Sequence, residues 1–175
     1  MSHRKIQPSG IEKPLKPGDL IVSKTDLKGR ITYGNRAFAD YAGYAEPEFI
    51  GKQHNMVRHP DMPRSVFKLL WDRLQNGQEV FAFVKNLCSD GRHYWVFANV
   101  TPSLDAQGQV VGYHSVRRQA KPEALPLIKD LYRQMLKLEN DTGGREGMEK
   151  ALAWLGEKLQ SMNTDYDTFV LKANA

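Results

Sequence analysis

Apolar and polar residues alternate along three segments in the middle of the chain, at positions 79–87, 93–101 and 110–117. This period of two is typical of β-strands, because successive side chains of a strand point to opposite faces of a sheet. The connections at 89–91 and 105–108 contain Asp and Gly, which favour the tight turns of β-hairpins. The pattern therefore predicts three consecutive antiparallel strands.

Two shorter apolar runs precede these strands, at 19–23 and 30–33, and a turn at 26–29 separates them. Together they predict a second hairpin. Short helices are predicted to follow at 36–41, with Asn35 as the N-cap, and at 46–51.

A longer helix is predicted at 63–76. Its apolar residues recur at i, i+3, i+4 and i+7, which indicates one buried face. These residues are Phe67, Leu70, Trp71 and Leu74. The elements together predict an α+β fold, a five-stranded antiparallel sheet with short helices on one face.

Residues 54–63 form an unusually polar segment that also contains two prolines. The first proline disfavours helical geometry at the residue before it, whereas the second suits the first turn of a new helix. We therefore expect Asp61 to cap that helix. Arg58 and His59 would then lie beside its positive end, where unpaired N–H groups attract an anion.

A metal site and a plain surface loop both stay open as alternatives for this segment. His54, His59 and Asp61 carry side chains that bind metals, although their spacing matches no common metal-binding pattern. A plain surface loop would account for the polar residues, but not for the apolar residues between them.

The same segment resembles the flavin-binding PAS domain of bacterial aerotaxis transducers, which carry a very similar run of ten residues. The resemblance extends from about residue 19 to about residue 118. It implies a PAS fold, a non-covalently bound FAD and a redox- or oxygen-responsive sensor that signals through altered protein contacts. Other matching motifs are Thr25-Asp26-Leu27, Val84-Lys85-Asn86, His93-Tyr94-Trp95-Val96 and Gly112-Tyr113.

The resemblance also implies roles for individual residues. Arg58 and His59 would lie near the pyrophosphate or ribityl chain of FAD, and Asp61 would hold that segment together. Asn86 would contact the flavin ring, whose mixed donors and acceptors suit an amide, although an amide bonded to the backbone is the structural alternative. The predicted cofactor-binding residues are Asn35, His54, Arg58, His59, Asp61, Trp71, Asn86 and Arg117.

Alignment of Asn86 with the flavin-contacting Asn of related PAS domains assigns the two faces of the sheet. A set of small residues points inward and leaves room for a ligand, whereas an aromatic set points outward and needs a cover. The inward set includes Val80, Ala82, Val84, Val96, Ala98 and Val100. The outward set includes Phe81, Phe83, Trp95 and Phe97.

Arg117 shares its strand phase with Tyr113 and Ser115, so it would face inward if the last strand pairs as in related PAS domains. An inward guanidinium needs an anion, which a negatively charged flavin would supply. The alternative is that Arg117 reaches solvent from the end of the strand.

Outside the PAS region at 19–120, we predict a flexible N-terminal arm at 1–18 and a C-terminal helical appendage at 121–175. The appendage is expected to form a helical hairpin, broken at 141–144, and a final turn capped by Asp165. The second helix has an apolar seam of about two heptads, formed by Met148, Leu152, Leu155, Leu159 and Met162. We expect the hairpin to cover the aromatic face, within one chain or across a homodimer, rather than to form a separate small domain.

The formal charge of +5 does not indicate nucleic-acid binding, because acidic and basic residues alternate along most of the chain. The single Cys88, the lack of a signal sequence and the lack of a long apolar stretch favour a cytoplasmic protein without a membrane span. No nucleophile–base set or phosphate-binding loop indicates an enzyme. We therefore expect a flavin sensor that acts as a homodimer on an unidentified signalling protein.

Two alternative functions remain at this point. One is a haem-binding gas sensor with His54 or His59 as the axial ligand. The other is a cofactor-free adaptor whose aromatic face mediates protein association.

Overall fold

The computed structural model describes residues 6–175. Its sheet has five antiparallel strands in the order β2-β1-β5-β4-β3. This arrangement confirms the predicted PAS topology. The strands are β1 (Ile21–Thr25), β2 (Ile31–Gly34), β3 (Val80–Leu87), β4 (His93–Leu104) and β5 (Val110–Gln119).

Short helices connect β2 to β3 and cover one face of the sheet: α1 (Arg36–Ala42), α2 (Glu46–Phe49), a 3₁₀ helix (His54–Val57) and α3 (Arg64–Gln75). The side chain of Asn35 caps α1 by accepting a hydrogen bond from the Phe38 N–H at 2.9 Å. Gly43 ends this helix in the left-handed region at φ 76°, where a residue without Cβ is favoured.

The two faces of the sheet differ as the strand phase predicts. Val84, Ala98 and Val100 line a cavity on the helix-covered face. Phe83, Trp95 and Phe97 point to the opposite face and are at most 6% exposed, so other parts of the chain cover them. The predicted separation of small and aromatic residues is therefore confirmed.

The cover comes from the C-terminal helices α4 (Leu125–Thr142), α5 (Gly144–Ser161) and α6 (Tyr166–Ala173). The Tyr132 hydroxyl donates to the Phe83 carbonyl at 2.7 Å, and the Tyr132 ring stacks on Trp95. From α6, the Tyr166 hydroxyl donates to the Phe81 carbonyl at 3.0 Å. The helices thus pack on the sheet within one chain, and the alternative of a separate small domain is wrong.

Details of the appendage differ from the predicted pattern. Leu155 and Leu159 of the expected seam are buried, but Met162 is 44% exposed. Gly147 and Ala151 continue the buried stripe instead, because small residues let α5 approach α4 closely. The cap by Asp165 is confirmed, since its carboxylate accepts from the Thr168 N–H at 2.8 Å.

We predicted a flexible N-terminal arm, but its described residues pack against the rest of the chain. Ser9 and Lys13 donate backbone hydrogen bonds to Gly91 and His93 at 2.8 and 2.7 Å, and Leu15 is buried. β5 stops at Gln119, so the first residues of β4 lack a partner on that side. The N-terminal segment supplies that partner. Residues 1–5 of the predicted arm lie outside the described part of the chain.

Candidate functional site

A cavity of about 240 Å³ lies between the inner face of the sheet, α3 and the residues around the 3₁₀ helix. It is much larger than the packing voids of a protein core, which are seldom larger than a water molecule. One face of α3 forms part of its apolar wall, because residues at i, i+3, i+4 and i+7 share a side of a helix. These residues are Phe67, Leu70, Trp71 and Leu74.

The polar lining is basic. Arg58 and Arg117 both line the cavity, together with His54 and Asn86, and no carboxylate lines it among residues 6–175. A low-polarity enclosure with cations and no acids has a positive potential. The cavity is therefore suited to a ligand with a negative charge or several hydrogen-bond acceptors.

Arg117 confirms the prediction of an inward strand position. It lies opposite Ile21 and Ala98 in the sheet and is 4% exposed. Its Nη2 donates to Ser23 Oγ at 2.8 Å and to His54 Nε2 at 2.7 Å. Burial without a carboxylate lowers the pKa of Arg117 to about 10.

His54 is neutral in this arrangement. Burial, and then the adjacent guanidinium of Arg117, lower the pKa of the His54 imidazole to about 3. Because arginine can only donate, Nε2 of His54 accepts and the proton of the neutral ring lies on Nδ1. The Nε2 lone pair, which would bind a haem iron, is therefore occupied by the hydrogen bond from Arg117.

Three buried polar atoms on cavity-lining residues lack partners within the described part of the chain. They are Arg117 Nη1, Ser115 Oγ and Thr25 Oγ1. Buried polar groups are almost always hydrogen-bonded, so unpaired atoms that line one cavity indicate a polar ligand there. This set fits a ligand with several hydrogen-bond acceptors, as a flavin has.

Arg58 reaches the cavity from an extended segment that pairs with Asn86 of β3 through an isolated β-bridge. Its Nη2 donates to the Met62 carbonyl at 2.8 Å, and its guanidinium lies 4.6 Å from the centre of the Phe67 ring. Burial lowers the pKa of this guanidinium below its usual value. Its remaining donors are available to a ligand in the cavity.

Three predicted cofactor-binding residues do not line the cavity. The Asn35 side chain is used by the backbone, since its Oδ1 accepts from Val22 and Phe38 at 3.1 and 2.9 Å. His59 is buried elsewhere, and its Nδ1 accepts from the Asp61 N–H at 3.0 Å. Burial and the nearby Lys85 lower the pKa of His59 to about 4, so this ring is neutral.

Asp61 has a different role from the predicted helix cap. Its carboxylate bonds to Lys85 Nζ at 2.6 Å, on the aromatic side of the sheet, and α3 begins after Pro63 without a local side-chain cap.

The plain surface loop is also wrong, because Val57 and Met62 are at most 1% exposed. Within residues 6–175, no group of three or more His, Cys, Asp or Glu could hold a metal ion.

The predicted anion seat at the start of α3 exists, but a residue of the chain itself occupies it. The carboxylate of Glu139, from α4, accepts from the Arg64 N–H at 3.0 Å and from the Ser65 N–H at 2.8 Å. The Ser65 hydroxyl donates a third hydrogen bond at 2.6 Å. The sequence pattern did not predict this role for Glu139, although its place on the apolar face of α4, four residues after Met135, was a signal.

Comparisons with known proteins agree with this fold. The PAS fold family model matches residues 31–117. The aerotaxis receptor of Escherichia coli (strain K12) is 37% identical over 149 residues, which is 85% of this chain and 29% of the receptor. This chain therefore spans less than a third of that relative.

Solved structures give the same result. The light-state structure of the blue-light photoreceptor Aureochrome1 LOV has a TM-score of 0.56 and 23% identity, over 63% of this chain and 88% of that chain. A Light-Oxygen-Voltage domain studied with a flavin analogue has a TM-score of 0.53 and 21% identity, over 70% of this chain and 87% of that chain. At these identities the likeness shows a shared fold.

Proposed function

We propose that this chain, which belongs to the PAS family and is a relative of the aerotaxis receptor, is a redox sensor. It would bind FAD non-covalently in the cavity. A bound flavin would supply reversible uptake of electrons. The chain would supply the binding site and the elements that respond to the redox state.

The observation that carries this proposal is the environment of Arg117. A guanidinium that is 4% exposed, with an unpaired Nη1 and no carboxylate partner within residues 6–175, is costly to bury. A ligand that is negatively charged or rich in acceptors would remove that cost. Flavins carry carbonyl and ring-nitrogen acceptors and gain negative charge on reduction, so they meet this requirement.

Arg58, Asn86 and Trp71 complete the proposed site. Arg58 would bind the anionic portion of FAD, and the Asn86 amide would pair with donors and acceptors of the ring. Trp71 supports the wall of the cavity, since its ring packs edge-on against Tyr113 at 5.1 Å between centroids. The resemblance to flavin-binding PAS domains and the flavin named for one structural relative support the same ligand.

The output would be a changed protein contact, through a homodimer or a signalling partner. A redox change alters hydrogen bonds at Arg117 and Asn86, which lie on β5 and β3. The opposite face of β3 and β4 carries the C-terminal helices, so such a change can alter their packing.

Within residues 6–175, no helix is long and apolar enough to cross a membrane. A cytoplasmic location is part of the proposal.

The visible spectrum of the purified protein tests the proposal, together with mass spectrometry of the released cofactor. FAD predicts a yellow protein whose fluorescence appears on denaturation. A red protein with a strong Soret band would instead identify haem. A colourless protein that takes up no added FAD would favour the adaptor.

A further inference from the structure

The contact between Glu139 and the start of α3 is unusual because it buries a charge. The Glu139 side chain is 2% exposed, and Arg64 Nε lies 3.6 Å from its carboxylate. A buried carboxylate is tolerated only while its donors stay in place. The contact therefore depends on the position of α3, unlike an apolar contact that can slide.

The same helix forms the cavity wall. Ser65 meets Glu139, whereas Phe67, two residues later, lines the cavity and lies against the guanidinium of Arg58. A helix is stiff over one turn, so a shift of its first turn moves the residues of both faces together. The cavity and the Glu139 contact thus share one rigid element.

On the other side, Glu139 lies where α4 meets α5. Gly147 packs so closely there that a Cβ atom would lie 2.6 Å from the Glu139 carbonyl oxygen. Arg64 also donates to the Gly144 carbonyl, at the start of α5, at 3.3 Å. The start of α3 therefore contacts both helices of the hairpin at one point.

We infer that Glu139 is a positioning residue through which the C-terminal helices set the cavity wall, and hence the affinity of the cavity for its ligand. Coupling between two sites is reciprocal, so a ligand in the cavity also changes how firmly the hairpin docks. With flavin as the ligand, the inference rests on the proposed function. It adds a route from the cavity to the output helices.

Glu139→Gln in the full chain tests the coupling, because it removes the charge and keeps the shape. Amide hydrogen exchange of Arg64 and Ser65 should become at least about tenfold faster, since their acceptor is weakened. The Kd for added FAD should rise by roughly fivefold or more, the usual lower range of coupling between sites. Ser65→Ala, which removes one donor, should show smaller changes in the same direction.

Two controls separate coupling from a loss of charge or of stability. Glu157→Gln makes the same charge change on the exposed face of α5 and should leave both readouts unchanged. Leu15→Ala removes buried contacts in the N-terminal segment, outside the cavity lining and the C-terminal helices, and should lower stability without changing the Kd for FAD. If Glu139→Gln speeds exchange but leaves the Kd at the wild-type value, the coupling is refuted.

A readout without cofactor keeps this inference separate from the proposed function. The NMR signal of the Trp71 indole N–H reports the cavity wall in the cofactor-free protein. It should shift in Glu139→Gln and stay in place in Glu157→Gln. If the wild type takes up no FAD, the proposed function fails, and this signal alone then decides whether Glu139 positions the wall. An unmoved signal refutes the inference.

Discussion

Arg117→Met separates two effects of the buried guanidinium. In the cofactor-free protein the guanidinium lowers the free energy of unfolding, and in the loaded protein it strengthens ligand binding. The lowering of the Arg117 pKa to about 10 corresponds to roughly 3 kcal/mol of destabilisation of the charged form. The substitution also loses the hydrogen bonds to Ser23 and His54, worth about 1 kcal/mol each. The cofactor-free variant should therefore be more stable than the wild type by about 1 kcal/mol.

Flavin binding should change in the opposite direction. A hydrogen bond to a charged group contributes about 1.5–3 kcal/mol, so the Kd of Arg117→Met for FAD should rise at least about tenfold. Urea denaturation of the cofactor-free protein measures the first effect, and quenching of flavin fluorescence measures the second. Arg118→Met is the matched control, because the next residue on β5 is exposed on the other side and should show neither effect.

Two results would refute this reasoning. A cofactor-free Arg117→Met protein less stable than the wild type by more than about 2 kcal/mol would show that the guanidinium is structural. Unchanged FAD affinity in a folded variant would show that Arg117 does not face the ligand.

Individual contacts give four further predictions. Arg58→Ala should weaken FAD binding about tenfold or more, since it removes a charged donor from the cavity, and an unchanged titration curve would contradict this role. Stability should fall as pH drops from 6.5 towards 3, because the unfolded chain protonates His54 at its usual pKa of 6.5 and the folded chain only at about 3. His54 contributes roughly 2 kcal/mol of this loss between pH 7 and pH 5 in urea denaturation, and His59, whose pKa is lowered to about 4, contributes in the same direction. His54→Asn should therefore make the profile shallower by about 2 kcal/mol and leave the His59 part, and an unchanged profile would contradict the assignment. Blue light should produce no lasting bleaching of the flavin-loaded protein, because Cys88 does not line the cavity and burial raises its pKa to about 11; bleaching abolished by Cys88→Ala would disprove this. Truncation after Lys121 should expose the aromatic face and increase dye binding, and a soluble fragment with no new dye binding would show that the helices are not its main cover.

The sheet could be predicted from sequence because its signals are local and regular. Alternation fixes which residues share a face, so the inward position of Arg117 follows once the phase of β5 is known. The aromatic face of β3 and β4 required a cover, and the apolar faces of the C-terminal helices could supply one. Fold and cover were therefore both predictable from sequence.

The candidate site was only partly predictable. Arg58 and His59 were expected on the same side, but the segment is extended and pairs with β3, so these neighbours point to opposite sides. Asp61 follows His59 away from the cavity and pairs with Lys85. Local sequence rules do not specify such pairing of an irregular segment with a strand.

The cap of α3 shows a second limit. Rules for helix caps consider residues next to the helix, and Asp61 was the obvious candidate. The actual anion, Glu139, is 74 residues from Ser65 in sequence, so only the tertiary fold brings them together. The pairing of the N-terminal segment was unpredictable for the same reason. Its partner is the edge of β4, which is open only where β5 ends, and that end is set by the tertiary fold.

Titration of the cofactor-free protein with FAD, in the wild type and in Ala98→Phe, tests most directly whether this cavity is a flavin site. Ala98 is 2% exposed and lines the cavity, so a phenyl ring there would fill space that the ligand needs. We predict saturable binding of one FAD per chain in the wild type and its loss in an Ala98→Phe protein that still folds. Equal binding by the two proteins would contradict a flavin site in this cavity.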